Sequence, residues 1–141
     1  GITEIEMIEK KYRIEDALEA VRSAQQEGLV VGGGMALIKA SKGVKIDADN
    51  DDQKIGLKIV LESVSSPFKQ IAENCGLSPD VCCEKAKRAK EQEGYHFINQ
   101  KVSNFIEEGI VDPVKVARCA LQNAVSAGGT LITSNYAVVE N

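Results

Sequence analysis

The chain has 141 residues, 43% of them hydrophobic and 27% charged, with a formal net charge of −4. That length suits one domain with a core of its own or a shared one. Charges of both signs are interspersed, so there is no nucleic-acid footprint; no apolar run reaches the ~18–20 residues of a membrane span or makes a secretory leader, so we expect a soluble protein with neither nucleic acid nor membrane as partner.

The chain begins at Gly1 rather than at an initiator Met, as expected of a chain cut from a longer polypeptide or of one that retains a tag residue. Thr3 followed by Glu6 is a capping box, and good helix formers without Gly or Pro then predict a helix from about Glu4 to Glu27. At ~1.5 Å per residue it is roughly 35 Å long. Its apolar residues Ile5, Ile8, Tyr12, Leu18 and Val21 form a thin stripe on an otherwise charged surface, which predicts an exposed, projecting strut.

Residues 28–34 read Gly-Leu-Val-Val-Gly-Gly-Gly. Three glycines without Cβ let backbone pass close to another group, and Met35-Ala36-Leu37-Ile38 would place a helix N-terminus beside that approach. Such a geometry suits a nucleotide phosphate or ribose; a tight helix–helix turn accounts for the same residues equally well. The second helix should end near Ala40, ahead of a polar loop from Val44 to Asp52. Ile55, Leu57, Ile59, Val60, Leu61 and Val64 are apolar almost all round, which predicts a buried central helix from Gln53 to Ser65.

Ser66-Pro67 and Ser78-Pro79 place a capping residue before a proline and predict helices starting near Phe68 and Asp80. The run from Glu84 to Glu93 is charged and reads as a solvated helix end. Tyr95 to Asn99 reads as a short extended segment or hairpin arm. Asp112-Pro113 repeats the cap-and-proline device, with Asp112 as N-cap of a helix carrying Val116, Ala117, Ala120, Leu121 and Ala124. Ala124, Ser126, Ala127, Gly128 and Gly129 are small enough to admit another helix closely. Tyr136 to Val139 predicts a terminal strand in need of a partner edge. There are no internal repeats, and the whole reads as mainly α.

Cys75, Cys82, Cys83 and Cys119 have no Cys-x-x-Cys spacing, and His96 is the only histidine. A metal site is therefore not expected, and the cysteines read as small buried residues of a reducing compartment, the cytoplasm or an organelle matrix. Asp16 lies mid-helix on a charged face, where a carboxylate is ordinarily solvated.

Two ordered runs change the weight of these readings. The first is Glu15-Asp16-Ala17-Leu18, then Arg22, Glu27-Gly28 and the triple glycine. The second is Gly109-Ile110-Val111-Asp112-Pro113, Lys115-Val116, Arg118, Ala120-Leu121-Gln122 and Ala124, followed by Leu131-Ile132-Thr133. Together they resemble the group I chaperonins, the GroEL family of ATP-driven folding rings, and the resemblance runs from Thr3 to Glu140. It implies the C-terminal part of a longer subunit: residues 1–27 as an intermediate-domain-like helix and 28–141 as the second half of the equatorial domain, which binds ATP and forms the ring. The implied fold is a mainly α, helical equatorial-type bundle with a long projecting N-terminal helix and a short C-terminal strand.

By that resemblance Asp112 accepts hydrogen bonds from the nucleotide ribose, Gly33 passes the nucleotide with its backbone, and Asp16 swings in to position the attacking water near Mg²⁺. The adenine-side motif of the family, Gly-Tyr-Asn-Ala, is here Gly94-Tyr95-His96-Phe97. His96 can hydrogen-bond to or stack on a base, while Phe97 in place of a small residue takes up pocket space. The family's Gly-Asp-Gly-Thr-Thr phosphate loop and the aspartates that hold Mg²⁺ have no counterpart in these 141 residues. ATP and Mg²⁺ are thus the implied cofactors, with ligands mostly outside this stretch, and the chain by itself is expected not to hydrolyse ATP. Implied partners are other subunits of a ring, a co-chaperonin lid and unfolded client proteins, and the chain alone is expected to self-associate. The alternative is a free-standing helical interaction or scaffold module without ATPase activity.

Overall fold

The computed structural model describes residues 3–139, in the order α1 (Glu4–Glu27), β1 (Leu29–Val31), α2 (Met35–Ser41), α3 (Asp51–Ser63), α4 (Ser66–Asn74), α5 (Pro79–Lys87), β2 (Glu93–His96), β3 (Lys101–Asn104), β4 (Val111–Pro113) and α6 (Val114–Thr133). The fold is mainly α, as the sequence predicts. It divides into two compact units, residues 3–28 with 113–139 and residues 29–112.

In the first unit, α1 starts where its capping box places it. The Glu6 N–H donates to Thr3 Oγ1 at 3.2 Å, and the Thr3 N–H donates to the Glu6 carboxylate at 2.7 Å. Gly28, with φ +84°, ends the helix as its N–H donates to the Ala24 carbonyl. α1 and α6 pack side by side. Arg118 grips the Glu27 carboxylate with two donors, Nε at 3.0 Å and Nη2, and Lys115 Nζ donates to Gln26 Oε1 at 2.6 Å. The Arg118 guanidinium holds the Glu27 carboxyl below its ordinary pKa and offsets the cost of an acidic side chain at a helix C-terminus. Neither helix buries a residue completely.

The core belongs to the second unit. Met35 and Ile38 of α2, Phe68 and Ala72 of α4, Cys82, Cys83 and Ala86 of α5, and Tyr95 and Phe105 on either side of the β2–β3 turn are all buried in one cluster with Val31 and Ala89. Phe68, Tyr95 and Phe97 pack as an aromatic trio, with ring centroids 5.0 Å apart for Phe68–Phe97 and 5.5 Å for Tyr95–Phe97. β2 and β3 pair antiparallel with Gly94 opposite Ser103 and His96 opposite Lys101, and β1 pairs with β4. This is the hairpin arm expected around Tyr95. Prolines start α4 and α5, and left-handed Gly76 closes α4 as the Leu77 N–H donates to the Ala72 carbonyl at 2.9 Å. Neither Ser65 nor Ser78 caps with its side chain.

The helix predicted over 53–65 exists as α3 but has no fully buried residue, and Ile59 is 55% exposed. All-round apolarity marks a demand for cover, and the described residues meet it completely only at Val64, just past the helix end. Tyr136 to Val139 form no strand and are exposed, because a strand has no stability without a paired neighbour and none lies beside them among the described residues. All four cysteines are free thiols; Cys82 and Cys83 are buried as expected, whereas Cys75 at the end of α4 is exposed and Cys119 is half-buried.

Candidate functional site

The triple glycine links β1 to α2, and each of its members clears a different neighbour. A Cβ on Gly32 would lie 3.1 Å from the Val111 backbone, one on Gly33 3.3 Å from the Phe105 ring, and one on Gly34 2.8 Å from Phe68 Cα. Gly33 and Gly34 are also left-handed, at φ +63° and +75°. The Gly32 N–H donates to the Ile110 carbonyl at 2.9 Å, and the Gly32 carbonyl accepts from the Met35 N–H at 3.1 Å. The close approach read from the sequence is therefore made, in this unit, to the protein's own β4, Phe105 and Phe68.

On β2, Gly94 faces the same ring, for a Cβ there would fall 2.4 Å from Phe105 Cε2. His96 is half-buried and sits edge-on to Phe105, with centroids 6.5 Å apart. Its Nδ1 accepts the Asn99 N–H at 3.3 Å, which leaves Nε2 for another partner. Phe97 turns to Phe68 and Tyr95, so its ring is committed to the core side rather than to open space.

Asp112 is not the N-cap of α6. Pro113 holds that position with extended ψ 131°, and the Val114 N–H, the donor nearest a cap, goes to the Gly28 carbonyl at 3.1 Å. Pairing of β4 with β1 keeps the chain extended through residue 113 and carries Asp112 past the capping geometry. Its carboxylate is half-buried and has no hydrogen-bond or ion-pair partner among the described residues, and burial raises its pKa above the ordinary carboxylate value. A desolvated acceptor without a donor calls for one. Gly33, Gly94, His96 and Asp112 thus belong to one unit, with Phe105 touching the first three and β4 tying Asp112 to the glycine turn.

The sequence as a whole matches the model of the TCP-1/cpn60 chaperonin family over residues 1–141. The chain belongs to the TCP-1/cpn60 chaperonin family. Chaperonins act in protein folding.

Asp16 of the chaperonin chain lies on α1, in the other unit, exposed and without a side-chain partner among the described residues. Among the described residues no group of three or more His, Cys, Asp or Glu side chains could hold a metal ion. A groove of about 880 Å³ runs between α2 and the end of α5 and is lined by Val30, Val31, Ala36, Ala40, Ala89 and Ile106 among others. None of Asp16, Gly33, His96, Phe97 and Asp112 lines it. Lys39 forms one wall, with Nζ donating to the carbonyls of Lys90 and Glu91, the latter at 2.8 Å, and desolvation lowers its pKa. That lysine satisfies carbonyls just beyond the end of α5 and is structural. Phe105 and Lys39 escape sequence reasoning; the signal for Phe105 is two distant glycines, Gly33 and Gly94, facing one bulky residue, a pairing that spacing along the chain does not reveal.

Proposed function

We propose that this chain is the C-terminal part of an ATP-dependent group I chaperonin subunit, carrying the end of an intermediate domain (residues 1–27) and the second half of an equatorial domain (residues 28–141). The observation that carries the nucleotide reading is Asp112, a half-buried carboxylate with no partner among the described residues, on the strand paired beside the triple glycine. In this reading Asp112 accepts hydrogen bonds from the two ribose hydroxyls, and the backbone at Gly33 lies along the nucleotide. His96 offers Nε2 to the base, and Phe97, whose ring packs on Phe68 and Tyr95, bears on the site only through that core packing. Bound ATP supplies the phosphoanhydride whose hydrolysis drives the folding cycle. Asp16 positions the attacking water, a role that its exposure on α1 leaves free, and Mg²⁺ is held by residues outside those described. Partners are other subunits of a ring, a co-chaperonin lid and unfolded client proteins, with no nucleic acid or membrane among them, in the cytoplasm or an organelle matrix.

The test is made in the whole subunit. Asp16→Ala should lower kcat for ATP by tenfold or more with little change in nucleotide affinity, because a water-positioning group acts on the transition state. Asp112→Ala should instead weaken nucleotide binding. Equal losses in both quantities for Asp16→Ala would remove its assigned role. A second reading, a helical interaction module without ATPase activity, is favoured by one observation: the groove between α2 and the end of α5 is lined by none of the proposed site residues. Wild-type whole subunit without ATP hydrolysis would select it.

A further inference from the structure

Phe105 is 1% exposed and follows β3, with its backbone pinned on both sides. Its N–H donates to the Gln92 carbonyl at 3.0 Å, and its carbonyl accepts from the Ile110 N–H at 2.8 Å. The ring occupies space that a Cβ on Gly94 would take, at 2.4 Å, and that one on Gly33 would crowd, at 3.3 Å, and it meets the His96 imidazole at 86°. One side chain therefore touches the glycine turn, β2 and the only imidazole.

We propose that Phe105 is a positioning residue of the candidate nucleotide site, its ring setting the spacing between the Gly33 turn and the Gly94–His96 strand and orienting the His96 ring. The functional meaning of this inference rests on the nucleotide reading above, whereas its geometry does not. The two positions facing the ring are glycines, so what borders it there is backbone of the turn and of β2 rather than a side chain. Shrinking it releases turn and strand together, and interiors packed to this density transmit such a change directly.

The experiment compares the 141-residue chain with Phe105→Ala, Phe105→Leu and, as a core truncation elsewhere in the same unit, Leu77→Ala. Two readouts are taken: NMR resonances and exchange rates of the Gly32, Gly33, Met35 and His96 amides with the His96 ring protons, and affinity for ADP. Phe105→Ala should shift the Gly33 and His96 signals and speed exchange at Gly32 and Met35 at least tenfold beyond Leu77→Ala, and Phe105→Leu should restore most of both. If Phe105→Ala does not fold, Phe105→Leu alone should still shift Gly33 and His96 together where Leu77→Ala does not. Equal effects from Leu77→Ala, or unmoved Gly33 and His96 signals, would overturn the inference. If the wild-type chain binds ADP, Phe105→Leu should weaken it several-fold, and an unchanged affinity would likewise count against the positioning role. Wild-type chain that binds no ADP is evidence against the nucleotide reading in this chain, and the resonance arm then decides the positioning role by itself.

Discussion

Replacing Gly34 by alanine probes the turn on which the second unit is built. The residue is left-handed at φ +75°, and the added Cβ would lie 2.8 Å from Phe68 Cα and 2.9 Å from Phe68 N, both backbone atoms of α4. A left-handed alanine costs roughly 1–2 kcal/mol relative to glycine, and overpacking against a rigid neighbour adds about 1–3 kcal/mol. Gly76→Ala supplies the control: φ is +70°, with nothing within 4 Å of the added atom, so only the backbone part applies. Unfolding in urea followed by circular dichroism should therefore place Gly34→Ala below Gly76→Ala by about 1–3 kcal/mol, the overpacking part alone. In a cooperative unit of this size that gap corresponds to a difference of roughly 4–8 °C in Tm per kcal/mol. Equal losses for the two variants would show that α4 gives way freely, and the packing argument for the triple glycine would fail.

Asp112→Asn bears on pH. Burial raises the folded-state pKa of Asp112 above its unfolded value, so its contribution favours folding below the unfolded pKa and is lost as pH rises through the folded one. The asparagine variant should then be slightly more stable than wild type at pH 7, by a fraction of a kcal/mol after solvent screening, with the gap closing toward pH 4; a less stable variant at pH 7 would contradict this. The 141-residue chain alone should show no ATP hydrolysis above background in a phosphate-release assay, and turnover that tracks the purified chain would refute the half-site account. Exposed Ile55, Ile59, Leu131, Ile132 and Tyr136 should drive self-association, read as a dimer or larger species in sedimentation at tens of micromolar; a clean monomer that binds no hydrophobic dye would speak against it.

Local signals were legible wherever the physics is local. Thr3 and Glu6 form the box their spacing predicts, the Ser-Pro pairs open α4 and α5 within two residues, and the polar α1 is exposed along most of its length, with Ala20, Ser23 and Ala24 half-buried. Burial was not, because it depends on what lies opposite: α3 has the composition of a core helix and more than half of Ile59 meets solvent, while the buried centre is built on Phe68, Met35 and Phe105. Asp112 shows the same limit in the site. Asp-Pro before a helix is an N-cap by local rules, yet the strand pairing of β4 moves the cap to Pro113 and leaves the carboxylate without a donor among the described residues. The triple glycine was legible as a place of close approach, and what approaches it, Phe105, comes from some seventy residues away and carries no mark in the sequence.

Titration of the 141-residue chain with ADP, followed by two-dimensional amide NMR, shows whether Gly33, His96 and Asp112 receive a nucleotide. One side of a site should bind weakly, on the order of 1 mM or about −4 kcal/mol. Saturable shifts should centre on Gly33, His96 and Asp112 and vanish in Asp112→Ala. Shifts confined to the groove around Val31 and Ala40, or shifts that persist undiminished in that variant, would contradict the nucleotide reading.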